Sequence, residues 1–186
     1  MNFPELQELN TPRLRLRKLT PADAPLYFQR IASLPEVSLY MLWEPHRQLS
    51  DTEAMIRQVL DRYASGRCYR WCIALREDDS PIGAIELLRF DEKAGSCSFA
   101  YMIGADYWGM GYAAEALQAA LCFAFEVMDI HTITADHMAE NPASGTVMRK
   151  VGMSFCRNIP AKYEKHGRLM DACEYSITRK QWNCRK

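Results

Sequence analysis

The segment from Gly111 to Met128 constrains the fold of this chain more than any other part of the sequence. Its apolar residues recur at helical spacing, and the stripe they form consists of Leu117, Ala120, Leu121, Ala124 and Met128. Such a stripe predicts a long helix with one buried face, because residues three and four apart lie on the same side of a helix. The fold must therefore provide a layer on which this helix packs.

The residues before this helix predict that layer. Two runs with strand character, Tyr69 to Leu75 and Ile82 to Phe90, flank a polar segment that contains Pro81. A turn around Gly95 then leads into a third run, Ser96 to Ile103. Three antiparallel strands in a meander are expected.

The remaining elements follow from local start and stop signals. Strict alternation over Arg13 to Arg17 predicts a strand, and Thr20 with Pro21 predicts the start of a helix. A capping box at Ser50 to Glu53 predicts a second helix that ends at Gly66.

The second half of the chain continues the alternation. His131 to Met138 predicts a strand, and Asn141 followed by Pro142 predicts a helix that stops at Gly152. The tail predicts a strand at Met153 to Arg157, a loop around Pro160, and a last strand near Leu169 to Thr178. The whole predicts one α/β domain over residues 1–186 with a mixed sheet.

Composition excludes several classes of protein. The 186 residues are 48% hydrophobic and carry 23 basic and 23 acidic side chains, which predicts one sizeable core and argues against nucleic acid as a partner. The start lacks an apolar signal segment, and no later apolar run reaches the ~20 residues that cross a bilayer.

The seven cysteines are scattered and lack metal-ligand spacing, which predicts reduced, buried thiols in a cytoplasmic protein. They are Cys68, Cys72, Cys97, Cys122, Cys156, Cys173 and Cys184.

A loop with two glycines, Tyr107 to Ala116, joins the third strand to the long helix. It would direct several free backbone N–H groups at the positive end of a helix dipole, which suits a diphosphate; a tight turn that merely needs glycine is the alternative. Residues 109–114 also satisfy the dinucleotide pattern GxGxxG/A. That pattern expects a parallel strand pair and a ribose-binding acid about 20 residues on, whereas the preceding strand ends a predicted antiparallel meander.

The same loop resembles the acetyl-CoA loop of GNAT N-acetyltransferases, Q/R-x-x-G-x-G/A, with Gly111 and Ala113 at the small positions and Trp108 at the first. The aromatic-Trp-Gly run and the Gly-Tyr-Ala and Glu-Ala pairs that follow are closest to the RimJ/RimL branch. Further segments that look like the family are Thr11 to Arg17, Ile82 to Ile85, Asn141 to Ser144, Met148 to Met153, and the closing-strand residues Asp171, Tyr175 and Trp182.

This resemblance implies the GNAT fold, in which a central mixed, mostly antiparallel sheet is splayed between its fourth and fifth strands and flanked by about four helices. Here those strands are Ser96 to Ile103 and His131 to Met138. It also implies acetyl-CoA as cosubstrate, with no metal. The implied cofactor-binding residues are Tyr101, Met102, Ile103, Trp108, Gly109, Met110, Gly111, Tyr112, Ala113, Ala114, Asn141, Ser144, Arg149 and Lys150. For Asn141 a plain helix cap, and for Arg149 and Lys150 solvated charges, are the alternatives.

The catalytic residues are predicted in the same way. Ser144 would protonate the departing thiolate, since the helix carries no Tyr, and an ordinary first-turn serine is the alternative. Some relatives place a Glu on the strand before the loop, where this chain has Ser98. Candidate bases are therefore Glu86 and His137, followed by Asp136, Glu140 and a water relay.

The acceptor has no recognisable code in the sequence. A protein or peptide N-terminal amine is the expectation from the RimJ/RimL-like pattern. A small-molecule amine or antibiotic, and an acyl-CoA-binding module without enzymatic activity, are the alternatives. The expected acceptor groove combines the two early helices, residues Tyr40 to Glu44 and the loop from Ile159 to Arg168. The oligomeric state stays open between monomer and homodimer.

Overall fold

The computed structural model describes residues 1–183, and its centre is one sheet. The eight strands are β1 (Leu9–Asn10), β2 (Leu14–Arg17), β3 (Tyr69–Leu75), β4 (Pro81–Asp91), β5 (Ser96–Ile103), β6 (Thr132–Met138), β7 (Ser154–Lys165) and β8 (Arg168–Thr178). They lie in the order β1-β2-β3-β4-β5-β6-β8-β7. Within this order β5 and β6 are parallel and the other neighbours are antiparallel. The predicted meander and the mixed sheet are confirmed.

Helices cover both faces of the sheet. They are α1 (Ala24–Tyr27), α2 (Pro35–Ser38), α3 (Leu49–Ala64), α4 (Tyr112–Glu126), α5 (Pro142–Lys150) and α6 (Arg179–Asn183), with short 3-10 turns at Pro21–Asp23 and Ala105–Tyr107 and a π turn at Phe28–Ala32. The helix α4 packs on one face together with α5 and α6. On the other face α1 and α3 enclose a second apolar cluster. All five residues of the predicted α4 stripe are fully buried.

The predicted start of α3 is wrong by two residues. The N-cap is Gln48 rather than Ser50, and the helix begins at Leu49. The reason is Asp51, whose carboxylate accepts the backbone N–H groups of Arg47 (2.9 Å) and Gln48 (3.2 Å) and so caps the helix earlier.

The sheet opens between β5 and β6. Their register pairs only Ser96 to Ser98 with Thr132 to Thr134. Beyond these residues the two strands separate, while β5 stays paired to β4 as far as Ile103 and β6 to β8 as far as Met138. The predicted splay between the strands at 96–103 and 131–138 is therefore confirmed.

The tail differs from the prediction. No loop surrounds Pro160: β7 continues through it and shifts register between Ile159 and Tyr163. Proline is tolerated because β7 is the edge strand of the sheet, where a missing N–H costs no ladder hydrogen bond. Trp182, predicted on the closing strand, lies on α6, where its buried ring packs 5.7 Å from that of Phe125.

The prediction of buried thiols is correct for only part of the described chain. Cys68, Cys72 and Cys97 are buried, but Cys156 is exposed on the edge strand β7, most of whose residues are exposed. Cys122 and Cys173 are half-buried, and all of these thiols are free. Cys184 lies outside the described residues. Within residues 1–183 no helix is both long enough and apolar enough to span a bilayer.

Candidate acetyl-transfer site

The open edge of β5 provides unpaired backbone at the splay. Gly104 N–H donates to the Ile82 carbonyl on β4 at 2.8 Å, and peptide groups alternate in direction along a strand. The N–H and C=O groups of Tyr101 and Ile103, beyond the last residues paired to β6, therefore face the gap. An extended, amide-containing ligand could pair with this edge as an extra strand would.

Trp108 fixes the end of this edge. Its indole N–H donates to the Ile103 carbonyl at 2.8 Å, which occupies the last acceptor of the gap. The indole ring itself remains about half exposed. Trp108 therefore ties the start of the glycine loop to β5, a contact that the sequence does not reveal.

The glycine loop leads directly into the N-terminus of α4. Gly111 is the N-cap in a left-handed conformation (φ 83°, ψ 0°), which favours glycine. The hydrogen-bond ladder of the helix begins with Glu115 N–H, which donates to the Gly111 carbonyl at 3.1 Å. The N–H groups of Tyr112, Ala113 and Ala114 precede that bond and have no intrahelical acceptor. They form an anion-binding arrangement at the positive end of the helix dipole.

The N-terminus of α5 brings the Ser144 hydroxyl to the same place, next to the hydroxyl of Tyr101 on β5. Asn141 caps the helix as predicted, with its side-chain oxygen accepting Ser144 N–H at 3.3 Å. The Ser144 hydroxyl lies 2.9 Å from the hydroxyl oxygen of Tyr101 on β5. Burial raises the pKa of Tyr101 to about 12, although the bond to Ser144 opposes that shift. The Tyr101 hydroxyl is therefore protonated at neutral pH and can donate.

These groups surround one cavity of about 400 Å³. Most of the residues predicted to bind the cofactor line this cavity. They are Tyr101, Met102, Ile103, Trp108, Gly109, Gly111, Tyr112, Ala113, Ala114, Asn141, Ser144 and Lys150. Two predicted residues do not line it. The Met110 carbonyl accepts a hydrogen bond from Arg13 on the outer side of the loop, and Arg149 donates to the Tyr175 hydroxyl at 2.8 Å.

The candidate bases are dispersed. Glu86 does not line the cavity, because it pairs with Arg62 and, at 3.1 Å, with Arg70. His137 is buried and its Nδ1 lies 2.8 Å from the Met138 carbonyl. Its Nε2 has no hydrogen-bond partner among residues 1–183 and faces Gly145 of α5.

The other two carboxylates that were considered differ in position. Asp136 forms an ion pair with Lys162 at 2.6 Å and a short hydrogen bond with the Tyr163 hydroxyl, both on β7. Glu140 lines the cavity and lies 3.7 Å from Arg168. Among Glu86, His137, Asp136 and Glu140, only Glu140 borders the space in which the chemistry would occur.

The other end of the cavity is formed by the first part of the chain. Glu36, Val37, Tyr40 and Met41 line it, whereas Leu42 to Glu44 of the predicted groove do not. Glu36 and Val37 were not predicted, because α2 is a single turn and has no periodicity to detect. Among the described residues no group of three or more His, Cys, Asp or Glu side chains could hold a metal ion.

The tip of the β7–β8 hairpin holds this wall in place. Lys165 donates to the backbone carbonyls of Ser38 and Met41, both at 2.6 Å. Next to it, His166 lies 2.7 Å from the carboxylate of Glu44. The segment predicted as an acceptor loop is therefore a strand pair that anchors residues 38–44.

Comparisons with known proteins agree with this architecture. A family model described as an acetyltransferase (GNAT) domain matches residues 13–154. The chain is 30% identical over 179 residues to an uncharacterized N-acetyltransferase, p20, of Bacillus licheniformis, covering 95% of this chain and 99% of the relative. It is 25% identical over 189 residues to the [ribosomal protein uS5]-alanine N-acetyltransferase of Escherichia coli, covering 97% and 88% of the two chains.

A solved structure extends the comparison. RimL, described as a ribosomal alpha-N-protein acetyltransferase in complex with coenzyme A, superimposes with a TM-score of 0.81 at 15% identity, covering 92% of this chain and 98% of that one. At this identity the likeness concerns the fold.

Proposed function

We propose, from the premise that the chain belongs to the GNAT family of acetyltransferases, that residues 1–186 act as one domain that acetylates the N-terminal amine of a protein or peptide. The family uses acetyl-CoA, and acetyl transfer to an amine is its chemistry. The observation that carries the proposal is the single cavity in which the β5 edge, the glycine loop and the Ser144 and Tyr101 hydroxyls meet.

The glycine loop holds the diphosphate of acetyl-CoA in this proposal. The free N–H groups of Tyr112 to Ala114 and of Gly111 receive the phosphate oxygens, and the helix dipole favours their charge. The backbone groups of Tyr101 and the N–H of Ile103 pair with the pantetheine amides, which fixes the direction of that arm and brings the thioester to the splay. Lys150 lies at the cavity wall, where its charge suits the 3′-phosphate end. Arg149 remains a prediction for the same role.

Ser144 supplies the proton for the departing thiolate. Its hydroxyl lies in the cavity and is in hydrogen-bond contact with Tyr101. Tyr101 can donate to the Ser144 oxygen while Ser144 donates onward, so the pair forms a short proton relay. Backbone N–H groups at the open β5 edge stabilise the oxyanion that forms when the amine adds to the thioester carbonyl. The amine forms the new C–N bond and the C–S bond breaks, so no covalent intermediate with the enzyme is required.

The amine must lose a proton before it can attack. We assign this step to a water relay that ends at Glu140, because Glu140 borders the cavity. The assignments of Glu86 and His137 as base remain predictions. The two arginines beside Glu86 and the burial of His137 favour structural roles for both.

A peptide N-terminus fits the acceptor end of the cavity. The wall formed by Val37, Tyr40 and Met41 is largely apolar, and Glu36 adds one carboxylate that can attract an ammonium group. The likeness to the uS5-alanine N-acetyltransferase, at 25% identity, supports an N-terminal amine acceptor in the RimJ/RimL manner.

The proposal is tested with the purified protein, acetyl-CoA and a panel of acceptors. The panel contains short peptides that begin with different residues, the same peptides with a blocked N-terminus but a free lysine, spermidine, and an aminoglycoside. Mass spectrometry should detect acetylation of free N-termini and loss of the reaction when the N-terminus is blocked. Faster transfer to spermidine or the aminoglycoside than to every peptide would overturn the N-terminal assignment.

A further inference from the structure

Arg13, at the entrance to β2, clamps the outer side of the glycine loop. Its Nη1 donates to the Met110 carbonyl at 2.9 Å, and its Nε and Nη2 each lie 2.7 Å from the Glu115 carboxylate. The guanidinium carbon lies 4.4 Å from the centre of the Tyr112 ring, within cation–π range. A single side chain therefore contacts the residue before the N-cap glycine and two residues of the first turn of α4.

Glu115 completes the clamp from the helix side. Its Oε1 accepts the Thr11 hydroxyl at 2.6 Å and the Arg13 backbone N–H at 2.9 Å, while Oε2 receives the guanidinium. Burial would raise the pKa of Glu115, but the bonds from Thr11 and Arg13 outweigh it and lower that pKa. Glu115 is therefore ionised at neutral pH, with both oxygens engaged by the segment that leads into β2.

This contact determines which way the loop amides point. The C=O and N–H of one planar peptide point in opposite directions. Because Arg13 holds the Met110 carbonyl on the outer side of the loop, the N–H of Gly111, in the same peptide, points away from Arg13. Gly111 lines the cavity, so that N–H is directed to the side on which an anion would bind.

The charge of Arg13 has a second consequence. An ionised Glu115 in the first turn of α4 would repel a diphosphate bound at the helix N-terminus. Arg13 is the cation in direct contact with that carboxylate. Without Arg13 the loop would lose the hydrogen bond to the Met110 carbonyl, and the negative charge of Glu115 would no longer be neutralised.

We propose that Arg13 is a positioning residue for coenzyme A: it sets the shape of the diphosphate loop and neutralises Glu115. This proposal rests on the proposed assignment of the loop as the diphosphate site. It also gives one role to two separate sequence features, the opening Thr-Pro-Arg run and the Glu-Ala pair after the loop.

The test compares Arg13→Ala with a matched control, Arg15→Ala. Arg15 lies two residues further along the chain, on β2, is exposed to a similar extent (41% against 46%) and also forms an ion pair, with Glu8 at 2.8 Å. Calorimetric titration with CoA should give a Kd about tenfold higher in Arg13→Ala, the effect of losing a charge-assisted bond. Arg15→Ala should bind CoA as the natural protein does. In steady-state kinetics, Arg13→Ala should raise the KM for acetyl-CoA and leave kcat at saturation unchanged.

Two further variants separate positioning from a general loss of stability. Arg13→Lys keeps the charge but loses the planar guanidinium that bonds Met110 and Glu115 from separate nitrogens, so its CoA affinity should be intermediate. Adding Glu115→Gln to Arg13→Ala removes the uncompensated charge and should restore part of the CoA affinity. A merely structural Arg13 would instead make the double variant weaker than either single one.

The outcomes also distinguish this proposal from the one on which it rests. Equal CoA affinity in Arg13→Ala and Arg15→Ala, while Gly111→Asp abolishes binding, overturns the role of Arg13 alone. If Gly111→Asp also binds CoA normally, the diphosphate assignment of the loop fails together with the role of Arg13.

Discussion

Removal of the Ser144 hydroxyl tests the proposed mechanism most directly. Ser144→Ala deletes one partner of the hydroxyl pair, and Tyr101→Phe deletes the other, with no large change in shape in either case. Both substitutions break the same 2.9 Å hydrogen bond between β5 and α5. Each should therefore lower the free energy of unfolding by a similar amount, about 1 kcal/mol.

The two variants should differ in rate. If Ser144 passes the proton to the thiolate, Ser144→Ala loses acid catalysis, and kcat should fall by roughly ten- to ten-thousand-fold with a smaller effect on the KM for acetyl-CoA. Tyr101→Phe keeps the Ser144 hydroxyl in place and only removes its partner, so its kcat should fall by about tenfold or less. The two variants should therefore lose similar stability but differ in kcat, which separates the structural role of the hydrogen bond from the catalytic role of Ser144.

The assay measures acetylated peptide by chromatography and mass spectrometry under saturating acetyl-CoA and acceptor, alongside thermal unfolding of each variant. Ser144→Ala with the kcat of the natural protein would remove Ser144 from the mechanism and leave water as the acid. A larger loss in Tyr101→Phe than in Ser144→Ala would make the tyrosine the donor. Asn141→Ala is the control for the helix end, because losing a cap costs about 1 kcal/mol of stability without removing either hydroxyl.

Three further predictions concern the walls of the cavity. Gly111→Asp adds a negative charge at the N-terminus of α4 and strains a residue in the left-handed conformation, with its Cβ 3.4 Å from Arg13 Nη2. It should abolish CoA binding in calorimetry while the circular dichroism spectrum stays unchanged. Alanine at a helical glycine normally adds about 1 kcal/mol of stability, but a Cβ at Gly145 would lie 2.6 Å from His137 Nε2. Because such overpacking costs about 1–3 kcal/mol, Gly145→Ala should lower the melting temperature. A higher melting temperature would refute the steric overlap. Lys165→Ala releases the wall at Met41, and it should raise the KM for the acceptor peptide several-fold while the KM for acetyl-CoA stays constant; equal changes in both would contradict a role at the acceptor wall.

The elements that the sequence predicts correctly are those with strong local signals. The long α4 helix has an apolar stripe, and α5 has an Asn-Pro start and a glycine stop, so neighbouring residues alone determine both. The three-stranded meander follows from alternation and turn residues. The error at α3 came from two competing capping interactions. Asp51 accepts the N–H groups of Arg47 and Gln48, which places the N-cap at Gln48, two residues before the predicted cap at Ser50.

The tertiary contacts of the site could not be predicted in this way. Tyr101 and Ser144 are 43 residues apart, and Arg13 and Glu115 are 102 apart. Neither pair has a periodicity or a motif that spans it, and only the packing of α4 and α5 on the sheet brings the partners together. The hairpin through Pro160 was missed for a related reason, since proline is a loop signal unless the strand is known to be an edge.

The two walls of the cavity are held in place by the same kind of contact, a cationic side chain bound to backbone carbonyls. In each wall a cation at the end of a strand binds backbone carbonyls. Arg13, just before β2, binds that of Met110, and Lys165, the last residue of β7, binds those of Ser38 and Met41. Both walls are therefore tied to the sheet through these two side chains. Their environments differ, because the Arg13 side chain is 46% exposed while the bonds of Lys165 are partly buried. Salt screens exposed charges more than buried ones, so the cofactor wall is the one that ionic strength loosens first.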